Sequence, residues 1–156
     1  MSRVLVISTS RKTRGGITSV VKAHEKGPQW QEYNCRWIET HIDKGVVAKL
    51  SYLARGIVQY LWYLPKSDLV HIHLSEKSTI KRKLFFFQFA KLLKKKIIIH
   101  FHAFSPETTI NGSCANLYRR VFSGADAVVV LSNYWKEKVN AEFHLGEKVR
   151  VIYNPC

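Results

Sequence analysis

Cysteines and acidic residues are scarce in this sequence, and each scarcity excludes classes of protein. The 156 residues include 3 cysteines, too few and too scattered for a disulfide framework, and no C-x-x-C pair that would indicate a zinc or redox site. A reducing compartment is therefore the expected setting. The sequence has 11 Asp and Glu residues and 25 Lys and Arg residues, which gives a formal net charge of +14. Such a charge favours polyanions, anionic membrane surfaces or phosphorylated small molecules as partners.

Long apolar runs are also missing. The apolar run near the N-terminus is too short for the core of a signal peptide. The longest apolar stretch, residues 84–90, is far shorter than the roughly 20 residues that cross a bilayer. These absences predict a cytoplasmic protein that is able to lie on the inner face of the membrane. With no internal repeat or linker, we expect one domain over residues 1–156.

Short β-branched runs alternate with longer helix-like stretches along the chain. Continuous apolarity is typical of strands covered on both faces, and the alternation predicts right-handed βαβ crossovers. The predicted fold is α/β, a doubly wound, mainly parallel Rossmann-like sheet flanked by helices. The predicted strands are residues 4–8, 69–73, 97–101, 127–131 and 149–153, with a weaker candidate at 34–38. The predicted helices are 17–25, 46–64, 79–94, 115–122 and 134–143, and the main loops are 8–15, 26–31 and 103–113.

The loop after the first predicted strand is basic and ends in two glycines at the start of a helix. In open α/β sheets ligands bind beyond the carboxyl ends of the strands. A helix N-terminus at Gly15 and Gly16 suits an anion, and Arg11, Lys12 and Arg14 raise the positive potential there. Neither a G-x-G-x-x-G fingerprint nor a P-loop is present. The segment is either a phosphate-binding loop or a flexible loop with a turn glycine.

Two H-x-H pairs end the next two predicted strands, His71 with His73 and His100 with His102. A period of two places each pair on one side of its strand, so four imidazoles gather if the strands are neighbours. A metal site has to be considered, but the one carboxylate near ligand spacing is Glu76. Buried histidines that hydrogen-bond to a neighbouring element are commoner. The interpretation is no metal, with His73 and His102 best placed to touch a ligand.

Two helical stretches are both basic and aromatic. The stretch 46–64 either lies on an anionic bilayer or packs as an amphipathic helix. For residues 80–96 the packed helix is favoured, because four phenylalanines need a core. Ser132 follows the fourth main strand and is a suitable N-cap for the helix at 134–143.

Five motifs follow one another at the predicted strand ends. They are Gly15-Gly16, DLVHIH at 68–73, IIIHFH at 97–102, ADAVVVLS at 125–132 and VIYNP at 151–155. Together they resemble the N-terminal half of glycosyltransferase family 4, a large group of retaining, nucleotide-sugar-dependent enzymes with the two-domain GT-B fold. The resemblance covers almost the whole chain.

The resemblance implies roles for individual residues. In such enzymes the N-terminal domain mostly holds the acceptor, and the C-terminal domain holds the nucleotide sugar. Gly15 and Gly16 would lie near the donor diphosphate, and His102 would approach the donor sugar at the reacting centre. Ser132 and Asn154 would line the donor side of the cleft. We further expect these residues on the acceptor side or facing phosphate: Arg11, Lys12, Arg14, His73 and Glu76.

The resemblance also implies partners. The nucleotide sugar is a co-substrate, and no metal or other cofactor is expected. The acceptor would be a glycan or a lipid-linked molecule in cell-envelope or capsular polysaccharide assembly. A basic, aromatic face of this domain would touch an anionic membrane surface.

The sequence departs from the family pattern in one respect. The family has two glutamates eight positions apart in its C-terminal domain, and no two glutamates here have that spacing. The chain stops at Asn154-Pro155-Cys156, where the family chain enters its interdomain linker. We therefore expect an N-terminal domain that is inactive without a C-terminal partner domain. The alternative is a stand-alone basic subunit of a two-chain transferase that binds a membrane or a partner. Nucleic acid is not expected, because only the charge favours it.

Overall fold

One sheet of six parallel strands organises the protein. The computed structural model describes residues 2–76 and 78–154, with the backbone alone at Ser78. Pro155 of the last motif and the chain end at Cys156 lie outside the described residues. The strands are β1 (Val4–Ser8), β2 (Arg36–Glu39), β3 (Leu69–Leu74), β4 (Lys96–Phe101), β5 (Ala127–Val130) and β6 (Val149–Val151).

The strand order is β2-β1-β3-β4-β5-β6, and every pairing is parallel. The direction of winding reverses between β1 and β3. In doubly wound sheets the crevice beyond the carboxyl ends at such a reversal is where ligands bind. The order therefore locates the candidate site before any side chain is considered.

Seven helices connect the strands within the described residues. They are α1 (Gly16–Lys26), α2 (Pro28–Glu32), α3 (Val46–Tyr63), α4 (Ser78–Leu92), α5 (Pro106–Thr109), α6 (Ala115–Gly124) and α7 (Asn133–Phe143). Within the same ranges, no helix has the length and apolarity that crossing a bilayer requires.

The two faces of the sheet bury different side chains, because successive residues of a strand point to opposite faces. The larger core lies on one face, where Ile72 and Ile99 join Tyr60 of α3, Phe86 of α4 and Tyr118 of α6. A smaller cluster on the other face packs Val6 and Trp37 against Val21 of α1. His71 and His73 of β3, His100 of β4 and His102 just after β4 lie on this second face.

The predicted α/β fold is confirmed, with strand and helix ends displaced by up to two residues. The weak candidate at 34–38 is the edge strand β2, Arg36–Glu39. Two loop predictions were wrong, because 26–31 overlaps α2 and 103–113 contains α5. Pro28 and Pro106 suggested loops, but both lie at the first position of a short helix, where proline is well tolerated.

Candidate functional site

A cavity of about 310 Å³ opens beyond the carboxyl ends of β1, β2 and β3, at the reversal of the sheet. The loop after β1 and the first turn of α1 form one wall, and α4 forms the opposite wall. The lining residues are Thr9, Thr13, Arg14, Gly15, Gly16, Ile17, Thr18, Thr40, His41, Asp43, Ser75, Thr79, Arg82 and Lys83.

The N-terminus of α1 faces this cavity without a cap. Gly15 takes φ 149°, a conformation that favours glycine, and no side chain among the described residues caps the helix. The first N–H groups of α1 are therefore available to an anion, which the helix dipole also favours. The Thr13 hydroxyl is buried in the same wall and has no hydrogen-bond partner within the described part of the chain. The predicted Gly15-Gly16 loop thus has the geometry of an anion site.

Three cationic side chains line the cavity, from Arg14, Arg82 and Lys83. Lys83 is 4% exposed, and its Nζ donates to the carbonyl oxygens of Ile7, at 3.5 Å, and His73. Burial, with a smaller contribution from nearby Arg82, lowers the pKa of Lys83 to about 7. An anion bound beside it would favour the charged ammonium.

Sequence reasoning missed Lys83, because the run 81–83 suggested a solvated face. A signal was present in the helical period. Lys83 is three residues after Ile80 and four before Phe87, and both of these side chains are buried. A lysine at helical spacing between two buried apolar residues is a candidate for a buried, functional cation.

A hydrogen-bonded chain crosses the cavity between the end of β2 and α4. Arg82 Nη1 lies 2.5 Å from His41 Nδ1, and His41 Nε2 lies 3.1 Å from Asp43 Oδ1. Because arginine only donates, Nδ1 of His41 accepts and its Nε2 carries the proton toward Asp43. Burial and Arg82 lower the pKa of His41, while Asp43 opposes them. This chain holds the Arg82 guanidinium at the cavity wall.

The predicted gathering of histidines is confirmed, since β3 and β4 are neighbours and His73 pairs in register with His100. His73 Nδ1 lies 2.8 Å from His102 Nε2, and the rings of His100 and His102 lie 4.1 Å apart. His24 of α1 covers the group, with its ring 6.2 Å from that of His100. The expectation that buried histidines are satisfied by hydrogen bonds was wrong for His100. Neither of its ring nitrogens has a partner among the described residues.

Burial keeps these imidazoles neutral. Burial, followed by the neighbouring His100, lowers the pKa of His102 to about 2. Burial, followed by the neighbouring His24, lowers the pKa of His100 to about 4. The pKa of His73 is held well below its usual value, first by burial and then by its histidine neighbours. His102 can therefore accept or donate a hydrogen bond near neutral pH, but it does not supply a charge there.

Arg11, which was expected to face phosphate, contacts two glutamates and a tryptophan ring in this structure. Its guanidinium lies 2.5 Å from Glu25 Oε1, makes a looser pair with Glu39 and lies over the Trp37 ring. Arg11 does not line the cavity, because these partners from α1 and β2 hold it outside. Its backbone N–H also donates to Glu39, at 2.6 Å.

The other predicted site residues are placed unevenly. Arg14, Gly15 and Gly16 line the cavity. Lys12 and Asn154 are exposed, Glu76 is half-buried after β3, and His73 is buried; none of these four lines the cavity. Ser132 accepts a hydrogen bond from the backbone N–H of Trp135 at 3.2 Å, which confirms the predicted N-cap of α7.

Fold and site together define a Rossmann-like domain with a crevice at the reversal of its sheet that is lined by three cationic side chains. The sequence profile described as Glycosyltransferase Family 4 matches residues 13–156, and the chain belongs to that family. Comparison with curated proteins gave no significant match.

The solved structures that are similar to this chain include HepE and a 2-deoxyribosyltransferase. HepE from Anabaena, solved in complex with UDP, has a TM-score of 0.55 and 16% sequence identity over 99% of this chain. The match covers 44% of HepE, so this chain spans less than half of that protein. At this identity the similarity shows the fold alone. A 2-deoxyribosyltransferase from Bacillus psychrosaccharolyticus has a lower TM-score of 0.49 and 11% sequence identity. The match covers 98% of this chain and 99% of that protein.

Proposed function

We propose that this chain is the acceptor-side domain of a retaining, nucleotide-sugar-dependent glycosyltransferase that assembles cell-envelope or capsular polysaccharide or a lipid-linked glycan. The observation that carries the proposal is the cavity beyond the carboxyl ends of β1 and β3. Three cations converge there with a helix N-terminus and a buried Thr13 hydroxyl, neither of which has a side-chain partner among the described residues. Membership of Glycosyltransferase Family 4 supports the proposal, as does UDP in the related fold of HepE.

The cavity supplies electrostatic stabilisation for a departing diphosphate. When the bond between the sugar and the diphosphate breaks, negative charge grows on the leaving phosphate oxygens. The N–H groups of Gly16 and Ile17 and the Lys83 side chain are held in place by the fold before that charge develops, and Arg14 lines the same cavity. Preorganised donors of this kind stabilise a transition state more than they stabilise the substrate.

His102 is the proposed contact to the donor sugar. Its backbone N–H donates to Leu74 O at 2.8 Å, which fixes the residue beside the end of β3. Its Nε2 is engaged with His73, so Nδ1 is the ring nitrogen that a sugar hydroxyl would meet. The loop after β4 would position the acceptor hydroxyl against the sugar carbon.

A C-terminal domain that binds the nucleotide sugar is the proposed partner, and this domain alone should transfer nothing at a useful rate. The test assays the 156-residue chain and the complete gene product with nucleotide sugars and a lipid-linked acceptor. We expect transfer only by the complete protein. Efficient turnover by the 156 residues alone would show that the activity needs no second domain.

Gly16 provides a sharper test of the diphosphate site. A Cβ at Gly16 would meet no atom within 4 Å, so Gly16→Ala fits the fold but places a methyl group where the phosphate would approach. In the complete protein we expect the donor KM to rise about tenfold, or about 1.4 kcal/mol, with Tm unchanged or raised. Gly45→Ala, at the start of α3, also meets no atom within 4 Å and should leave KM unchanged. An unchanged KM for Gly16→Ala would remove the α1 N-terminus from the donor site.

The exposed face of α3 favours a second function, attachment to an anionic membrane. Apolar side chains there are 61–79% exposed, namely Val46, Val47, Leu50, Val58 and Trp62. Lys49 and Arg55 lie exposed among them, and Lys66 Nζ lies 5.7 Å from the centre of the Trp62 ring. Exposed apolar and aromatic groups with interspersed cations suit the interface of an anionic bilayer. A lipid-linked acceptor would then be presented at the same surface.

Vesicle sedimentation tests this attachment. The double variant Leu50→Ser with Trp62→Ser should lose most of its binding to vesicles that contain an anionic lipid at low salt. Leu92→Ser is the matched control, because Leu92 is 72% exposed but lies on α4. Equal sedimentation of the double variant and the control would exclude α3 as the attachment surface.

A further inference from the structure

Three histidine side chains converge on the face of the sheet beneath α1. His71 and His73 are two residues apart on β3, so their side chains lie on the same face of the sheet. His100 lies opposite His73 on β4. One ring nitrogen from each residue lies within 4.8 Å of the others. The strand pairing fixes the backbones of all three, so their approach follows from the register of two central strands.

Ring nitrogens in this cluster are buried without hydrogen-bond partners among the described residues. They are Nε2 of His71, Nε2 of His73 and both nitrogens of His100. A buried polar atom without a partner costs free energy, so such atoms point to a ligand that satisfies them.

We propose that His71, His73 and His100 bind a divalent transition-metal ion of the zinc type. Imidazole is a preferred ligand of Zn²⁺, Ni²⁺ and Cu²⁺, and three histidines with one open position form a known zinc ligand set. A Zn–N distance of about 2.0–2.1 Å requires the nitrogens to come within about 3.4 Å of one another. The His71 ring is stacked with those of His73 and His100, and lies within 7° of parallel to the latter, so each ring would turn about its side-chain bonds until one nitrogen points at the ion.

The surroundings define the fourth ligand and the route of access. The nearby ammonium of Lys83, which bonds to the carbonyl of His73, opposes the uncompensated charge of the ion. The open position therefore suits hydroxide or another anion. A second cavity, of about 520 Å³, reaches the cluster from outside and is lined by His71, His24 and Cys35. This cavity gives the ion a path that does not cross the crevice.

The ion would also set the state of His102, an inference that rests on the proposed function. Metal on Nε2 of His73 leaves the proton on its Nδ1, which then donates to Nε2 of His102. His102, which is neutral, would then carry its proton on Nδ1 and donate to the sugar hydroxyl. The ion is thus a positioning element for His102, and no step of transfer passes through it.

Metal binding by the purified chain, prepared without a histidine tag, tests the proposal. Calorimetric titration with Zn²⁺ should give one site per chain, and Co²⁺ should give the visible absorption of a four-coordinate complex. His100→Leu should weaken binding about 100-fold or more while keeping the fold, since leucine removes two unpaired nitrogens. His71→Gln, at the half-buried edge of the cluster, should weaken binding similarly. This second variant tests the site even if His100→Leu does not fold.

Two controls identify the ligands. His144→Asn should bind as the wild type does, because His144 is exposed at the end of α7 with φ 52°, which asparagine tolerates. Cys35→Ser should also bind normally. Binding that persists in both cluster variants, or that Cys35→Ser abolishes, would overturn the proposal. So would the absence of Zn²⁺ binding to the folded wild type, an outcome that leaves the transfer reaction and the diphosphate site untouched.

Discussion

Lys83 joins the ends of β1 and β3, since its buried Nζ donates to a carbonyl oxygen of each strand. In this position the Lys83 side chain links the carboxyl ends of two strands and also lines the crevice. Burial disfavours the charged form of Lys83, and an anionic ligand bound beside it would favour that form.

The lowered pKa of Lys83 predicts a pH dependence of stability. The folded state releases its proton near pH 7, whereas the unfolded chain holds it to about pH 10.4. Between these values the unfolded state binds more protons, so stability rises with pH by about 1.4 kcal/mol per unit. In urea unfolding at pH 7.5 and 9, Lys83→Met should lack this rise. The same slope in both proteins would show that Lys83 is charged in the folded state.

Ser132 is predicted to act through the backbone of α7. Ser132→Ala removes the acceptor for the Trp135 N–H and should lower the free energy of unfolding by about 1 kcal/mol. Urea denaturation measures this loss. Asn140→Ala, whose amide makes a long 3.4 Å contact to Gly146 O, is a comparison on the same helix and should cost less. A smaller loss for Ser132→Ala than for Asn140→Ala would contradict the capping role.

At the residue scale, the roles that could be predicted from the sequence are those that depend on local structure. Gly15 and Ser132 were predictable, because a helix start needs particular backbone angles and acceptors. The pairing of Arg11 with Glu25 was not predictable, since the partners come from different elements. His41 and Arg82 were missed for the same reason, because the sheet order alone brings β2 and α4 to one cavity.

Among the elements, α3 depends on a close approach to the end of β2. A Cβ at Gly56 would lie 2.6 Å from Glu39 O, a backbone atom that cannot move aside cheaply. Gly56→Ala should therefore destabilise the protein by about 1–3 kcal/mol in urea unfolding, although alanine favours the helix. Gly45→Ala has open space around the new methyl group and should change stability by less than about 0.5 kcal/mol. Equal stability of the two variants would contradict this packing.

The main strands and helices were predictable, because buried parallel strands are apolar throughout and helices have a distinct period. The short helices α2 and α5 were not. Their sequences are polar and contain proline, so no apolar period marks them. The edge strand β2 carried a weak signal for a related reason, since its first residue, Arg36, is exposed.

For the whole molecule, the histidine cluster predicts sensitivity to acid. Burial lowers the pKa of His71, His73, His100 and His102 below the usual 6.5, so the unfolded chain takes up protons first as the pH falls. Stability should drop between about pH 6.5 and 4, by about 1.4 kcal/mol per pH unit for each histidine. Urea unfolding in EDTA measures the slope, which His71→Phe should reduce and the exposed His144→Asn should not. Equal slopes in wild type and His71→Phe would show that His71 titrates normally.

The order of the sheet is the property of the whole molecule that sequence could not provide. The two H-x-H pairs predicted a cluster of four histidines only if their strands were adjacent. That adjacency is a property of the tertiary structure. The predicted α/β fold implied a crevice beyond the carboxyl ends of the strands. The burial of Lys83 and of a Thr13 hydroxyl that has no partner among the described residues depends on packing between distant elements.

The most direct measurement of the central claim is an amide NMR titration of the isolated chain with UDP. The account predicts saturable shifts of the backbone amides of Gly15, Gly16, Ile17 and Thr18 at millimolar UDP, weakened in Lys83→Met. Shifts confined to the lysine run at 94–96, or no shift at the start of α1, would contradict the claim that this crevice holds the diphosphate of a nucleotide sugar.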